Sequence, residues 1–124
     1  KYYLDWVHEI GAEVITARDV HTDGVDAAAT RALSAATNGT EAVFVSVDID
    51  VLDAGSSAGT CAPSPGGLLP WQLLELVFRL CRHESVRGGD LMEVAPPLDS
   101  TGATTAIAAA VATQFIGARK VALA

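Results

Sequence analysis

The sequence predicts an α/β domain with a parallel sheet, and three observations carry that prediction. Ala42-Val43-Phe44-Val45-Ser46-Val47 is almost continuously apolar, as a strand covered on both faces would be. Apolar residues recur at helical spacing on either side of it, from Val25 to Ala36 and from Leu73 to Cys81. Strands that alternate with helices are joined by crossovers, which lays them parallel in one sheet. The acidic run Asp48-Ile49-Asp50 then falls at the carboxyl end of a strand, where open α/β sheets place their sites.

Each element follows from local signals. Glu13-Val14-Ile15-Thr16, after Gly11, reads as a short strand. Thr22 or Asp23 caps a helix carrying Val25, Ala29, Ala32, Leu33 and Ala36, and Asn38-Gly39 stop it. With the strand at 42–47 this makes a βαβ unit, whose crossover is expected to be right-handed. Ala54 to Leu69 holds four of the eleven glycines and two of the five prolines, too many turn formers for regular structure. A loop of that length inside a domain is usually functional. Pro70 suits a first helical position, ahead of Leu73, Leu74, Val77, Phe78 and Cys81 on one stripe. Gly88-Gly89 are expected to break the chain before a third core strand, Leu91-Met92-Glu93-Val94. Ser100 or Thr101 caps a last helix with Ala106, Ile107, Ala110, Val111 and Phe115 facing inward, and Gly117 ends it. Trp6 and Trp71 open apolar stripes and read as packing residues. No repeat or linker divides the chain, so residues 1–124 are treated as one unit. It begins at Lys1 rather than Met, which raises the expectation of a piece of a larger protein.

Composition limits the function classes. The chain has 124 residues, half of them hydrophobic, which is enough for a buried core. A net charge of −7 and a pI near 4.7 argue against nucleic acid and anionic membranes, which need a basic face. No apolar run approaches the roughly 18 residues that cross a bilayer. Cys61 and Cys81 are the only cysteines and follow no secretory pattern, so a reduced, cytoplasmic setting is expected, with a disulfide between them left open. Arg79, Arg82 and Arg87 form a small basic cluster suited to contacts between subunits.

The chemistry centres on Asp48 and Asp50. Side chains at i and i+2 of a strand share a face, so these two carboxylates are expected to converge. Paired carboxylates repel unless a proton or cation lies between them, and oxygen-only ligands favour Mg, Mn or Ca. The competing reading has them capping a loop through backbone N–H groups. Asp53 falls outside the alternation and reads as a loop cap. Cys61 has no histidine near it in sequence to make it a nucleophile. His8, His21 and His83 are unclustered and read as surface or helix residues.

Three segments, Ser46-Val47-Asp48-Ile49-Asp50-Val51-Leu52-Asp53, Gly59-Thr60-Cys61-Ala62-Pro63-Ser64-Pro65-Gly66-Gly67-Leu68 and Asp90-Leu91-Met92-Glu93-Val94-Ala95-Pro96, stand in an order and spacing that resembles the ureohydrolase family. That family holds arginase, agmatinase, guanidino-acid hydrolases and formimidoylglutamase. Pro97, Asp99 and Thr105-Ala106 continue the match. The resemblance implies an arginase-like three-layer αβα fold with a parallel sheet, of which this chain is the carboxyl-terminal half. It implies two Mn ions, with Asp48 bridging both and Asp50 binding one. Glu93 would receive the cationic group of a small guanidino or amidine substrate. The family uses no side-chain nucleophile beyond a metal-bound hydroxide, releases urea or formamide, and commonly forms homo-oligomers.

Departures from the family pattern matter too. Ala54 stands where proline is usual. Ala62 stands where arginase and agmatinase carry threonine, and so resembles formimidoylglutamase, whereas Met92-Glu93-Val94 resembles arginase and agmatinase. The family's upstream Gly-Gly-x-His and Asp-Ala-His-x-Asp motifs, which supply its other metal ligands, do not occur. The expectation is weak or no metal binding and no turnover by this chain alone. Two alternatives stand beside it. One is a truncated, non-catalytic half-domain acting in assembly. The other is a Mg-dependent phosphatase of the haloacid-dehalogenase type, whose Asp-x-Asp lies at a strand end.

Overall fold

Residues 2–122 are described by a computed structural model, in which the side chains of residues 2–4 and of His8 are left undescribed. Five helices and two strands follow one another: α1 (Tyr2–Glu9), α2 (Ala17–Asp23), α3 (Val25–Ala36), β1 (Val43–Asp48), α4 (Pro70–Cys81), β2 (Val86–Met92) and α5 (Ala103–Ala122). Single 3-10 turns follow each strand, at Ile49–Val51 and Pro96–Leu98. The expected helix at 25–36 and the Pro70 start of α4 are both in place.

β1 and β2 pair in parallel, joined by the crossover that runs through the long loop and α4. Phe44 lies opposite Gly88, Ser46 opposite Asp90 and Asp48 opposite Met92. Opposite partners in a parallel pair share a face, so the sheet has two unlike sides. Val45, Val47 and Leu91 face the helices and join a core with Val77, Cys81, Val86, Ala108 and Val111. Each fully buried valine contributes roughly 1.5–3 kcal/mol of transfer free energy. The other side carries Phe44, Ser46, Asp90 and Met92, all exposed, with Phe44 63% accessible. Continuous apolar character therefore did not mean cover on both faces here. The parallel α/β class holds, and among the described residues the helices screen one side of the sheet.

Several local expectations are corrected. Residues 13–16 form no strand: Val14 and Ile15 are half-buried, but their backbone pairs with nothing in the sheet. Thr16 instead starts α2, through a reciprocal cap in which its hydroxyl accepts from the Asp19 amide and the Asp19 carboxylate accepts from the Thr16 amide. Thr22 and Asp23 lie inside α2, and Gly24, at φ 89°, is the hinge between α2 and α3. Gly88 and Gly89 do not interrupt β2. A Cβ on Gly89 would sit 2.3 Å from the Phe115 ring and 2.6 Å from the Val45 carbonyl, so the bare backbone lets α5 lie against the sheet. The strand ends at Met92, which leaves Glu93 and Val94 beyond it. Gly117 lies inside α5, and Ala106 is exposed rather than inward-facing.

Trp6 and Trp71 are 53% and 60% exposed, so neither acts as a core residue. Arg79 pairs with Asp26 at 2.8 Å and Glu75 at 2.7 Å, which offsets its charge within the expected basic cluster. Cys61 and Cys81 are both free, the first exposed and the second buried. Burial pushes the Cys81 thiol up to about 11. No helix among the described residues is long and apolar enough to cross a membrane.

Candidate active site

β1 delivers Asp48 to the carboxyl edge of the sheet as its last residue. The chain then tightens into the 3-10 turn, so Asp50 is not two strand steps further on. Asp48 Oδ1 instead accepts the Asp50 amide at 3.1 Å, capping that turn. The aspartates are brought together, and Asp48 caps a turn as the competing reading expected. The route differs from strand alternation. The Asp50 carboxyl is held above its ordinary value, first by sharing a hydrogen bond with the Asp48 carboxylate, then by desolvation and by the negative charges of Asp48 and Glu93. The Asp50 carboxyl in this arrangement is harder to ionise than a free one.

The pairing of Asp48 with Met92 brings the end of β2 alongside, and Glu93 is the next residue. It has φ 64°, the one positive-φ non-glycine among the described residues. The left-handed region costs a glutamate of order 1 kcal/mol and persists where surrounding structure enforces it. Its carboxylate is exposed and near enough to Asp50 to raise that group. Asp48, Asp50 and Glu93 therefore share one end of the sheet. Among the described residues, no three Asp, Glu, His or Cys side chains close into a metal-sized group.

Asp53 behaves differently. Its Oδ1 accepts from Gly55 N at 2.9 Å and its Oδ2 from Gly66 N at 2.7 Å, which holds its carboxyl below the usual range. It ties the mouth of the long loop, as its place outside the alternation suggested. Backbone bonds from Asp53 N to Leu68 O and from Ala54 N to Ser64 O complete the knot. His21 reaches from α2, its Nε2 3.1 Å from Gly67 O and its Nδ1 3.3 Å from the amide nitrogen of buried Gln72. It serves as a strut under the loop. His83 accepts from the Ser85 amide within its own turn.

Residues that the sequence reading left without a role brace this end of the molecule. Asp99 caps α5, accepting the amides of Thr104 at 3.3 Å and Thr105 at 2.8 Å, and these bonds hold its carboxyl below the ordinary value. Of the caps expected from sequence, Thr101 accepts only from Ala103 N. Thr104 is fully buried and accepts from Gly59 N at 2.9 Å, with the Ser57 hydroxyl 3.3 Å away. Gly59 O in turn accepts the Ala95 amide at 2.8 Å. An aspartate four residues before an alanine-rich helix was a readable cap signal. The partner of Thr104, across the fold, was not readable.

A model of the arginase family matches residues 1–117. The chain belongs to the arginase family. It is 38% identical over 118 residues to a formimidoylglutamase of Halobacterium salinarum, which takes in 92% of this chain and 37% of that protein. The crystal structure of a formimidoylglutamase from Bacillus subtilis superposes with a TM-score of 0.91 at 29% identity, covering 98% of this chain and 38% of the other. A proclavaminate amidinohydrolase of Streptomyces clavuligerus gives 0.86 at 34% identity, covering 96% and 39%. The chain thus spans well under half the length of these relatives. Arginase-family membership displaces the haloacid-dehalogenase alternative. It also supports the ureohydrolase resemblance drawn from the motifs at 46–53, 59–68 and 90–96.

Proposed function

We propose that this chain supplies the carboxylate side of a ureohydrolase site, with Asp48 and Asp50 as Mn ligands and Glu93 as the receiver of a guanidino or amidine group. The observation that carries the reading is the convergence of these residues at one end of the sheet, where Asp48 holds the Asp50 carboxyl above its ordinary value. The donors fit such ions chemically, being oxygen-only and anionic, and they make part of a coordination shell. When bound, the metal pair would provide Lewis acidity and a water made acidic near neutral pH. The residues here would orient and neutralise: Asp48 and Asp50 anchor the cations, and Glu93 aligns the planar substrate cation by a charge-assisted hydrogen bond. A formiminoglutamase of Trypanosoma cruzi has been solved with Mn.

Two carboxylates hold hard ions poorly, so the chain alone is proposed to be inactive. The exposed side of the sheet bearing Phe44 and Met92 is proposed to be covered by further parts of an arginase-family domain, and the completed protein to be a homo-oligomer. That bare side also favours a second reading, a half-domain acting only in assembly. Calorimetry with Mn on the chain and on the Asp48→Ala, Asp50→Ala double variant separates them. Weak binding lost in the double variant supports the site. Identical traces from both proteins leave assembly as the role, and robust guanidino or amidine hydrolysis by the pure chain overturns the proposed inactivity.

A further inference from the structure

Threonines inside helices usually return their hydroxyl to the carbonyl one turn back, as Thr30 does to Asp26 O and Thr113 to Ala109 O. Thr104 does not. Its hydroxyl, fully buried, turns away from α5 and accepts the amide of Gly59 on the long loop. Gly59 has no freedom at this junction: a Cβ there would lie 2.5 Å from Asp99 Cβ and 2.9 Å from Thr104 Oγ1. The other side of the same peptide segment, Gly59 O, accepts from Ala95 N at 2.8 Å. Ala95 is two residues from Glu93 and precedes Pro96, which narrows its backbone choices further. The chain of contacts therefore runs from α5 through the loop to the segment that carries the strained glutamate.

We propose that Thr104 is a positioning residue for Glu93: its hydroxyl fixes Gly59, Gly59 fixes Ala95, and the anchored Ala95 holds Glu93 in the left-handed conformation that aims its carboxylate at the substrate cation. The conformation belongs to the fold, and the purpose assigned to it rests on the reading of Glu93 above. A hydroxyl is required for a specific reason. The amide of Gly59 is buried with its residue, and an apolar side chain of the same shape would leave that donor without a partner.

Nuclear magnetic resonance on the labelled chain tests this. Thr104→Val is isosteric and removes the acceptor, whereas Thr104→Ser keeps it. In Thr104→Val the amides of Gly59 and Ala95 should exchange about tenfold faster, the loss of about one hydrogen bond. The three-bond amide to α-proton coupling of Glu93 should lose its positive-φ value, while β1 and α4 amides stay unchanged. Thr104→Ser should restore both. Unchanged Ala95 exchange and an unchanged Glu93 coupling in Thr104→Val overturn the proposal. If Thr104→Val does not fold, the unmodified chain decides. Gly59 and Ala95 amides that open as one unit in native-state exchange support the link, and independent opening overturns it. Titration with methylguanidinium tests the purpose. Glu93 should shift in wild type and Thr104→Ser, and should need about tenfold more ligand in Thr104→Val. A wild-type Glu93 that does not respond refutes its substrate role, and with it the purpose assigned to Thr104. Failure of the linkage itself is recognised separately, by the exchange and coupling data.

Discussion

Asp50 and Asp53 lie three residues apart, yet the fold holds the carboxyl of Asp50 above its ordinary value and that of Asp53 below it. Asp53 opens a loop with no regular structure and finds two backbone N–H donors there, from Gly55 and Gly66. Asp50 sits in a regular turn and finds another carboxylate. The loop's acid is satisfied by backbone donors, and the turn's acid lies against a second carboxylate. A carboxylate already saturated with amide donors is part of the scaffold. One whose nearest strong partner is a second carboxylate is the better candidate for a ligand.

Substitutions can break this contrast on either side. The largest loss is expected for Gly67→Ala, because a Cβ there would come within 2.5 Å of the Asp53 amide and of Leu52 carbonyl carbon. Backbone atoms cannot yield as a side-chain tip can, so thermal or urea unfolding should show about 3 kcal/mol of destabilisation. Asp53→Asn comes next, lowering the melting temperature at neutral pH by a clear but smaller amount. A depressed pKa gives stability that is present above the ordinary 3.8 and lost as pH falls through the folded-state value. The two melting curves should therefore converge in acid.

Asp50→Asn should act in the opposite direction. The raised pKa means that folding favours the protonated form, so stability contributed at low pH is lost as pH rises through the folded-state value. The variant should melt slightly higher than wild type at neutral pH and level with it in acid. A lower melting temperature at neutral pH would refute the contrast. The mildest probe is alkylation of the native chain near pH 8. Exposed Cys61 should label, whereas buried Cys81, its thiol pushed up to about 11, should react only on unfolding.

Much of this arrangement could be read from sequence where a local signal and its tertiary consequence agree. The helix from Pro70, the turn-rich loop and the placing of Asp48 at the carboxyl end of a strand belong to that group, whereas Glu93 was singled out only through the family resemblance. The misreadings arise where tertiary partners decide. Nothing local distinguishes a glycine pair that breaks a strand from Gly88-Gly89, which continue one because Phe115 needs the space. Val14 and Ile15 have strand-like residue types without a neighbouring strand to bond. The Thr16-x-x-Asp19 box that starts α2 is a local signal that the strand reading of residues 13–16 passed over. The exposure of Phe44 depends on what lies opposite, which the alternation of one strand does not encode.

The register that sets Asp48 beside Met92 has a kinetic corollary. The two sides of the acidic end are separated in the chain by the whole crossover, loop and α4 together, so no short-range folding event can assemble them. Closing that long segment costs entropy before any contact between the strands repays it. The turn at Asp48 to Asp50 can form early on its own local bond, whereas Glu93 reaches it only once β2 has docked and α5 has packed behind. Assembly of the acidic end is thus expected to be among the last folding steps and the first to reverse. Refolding monitored at Glu93 should lag behind that monitored in α4.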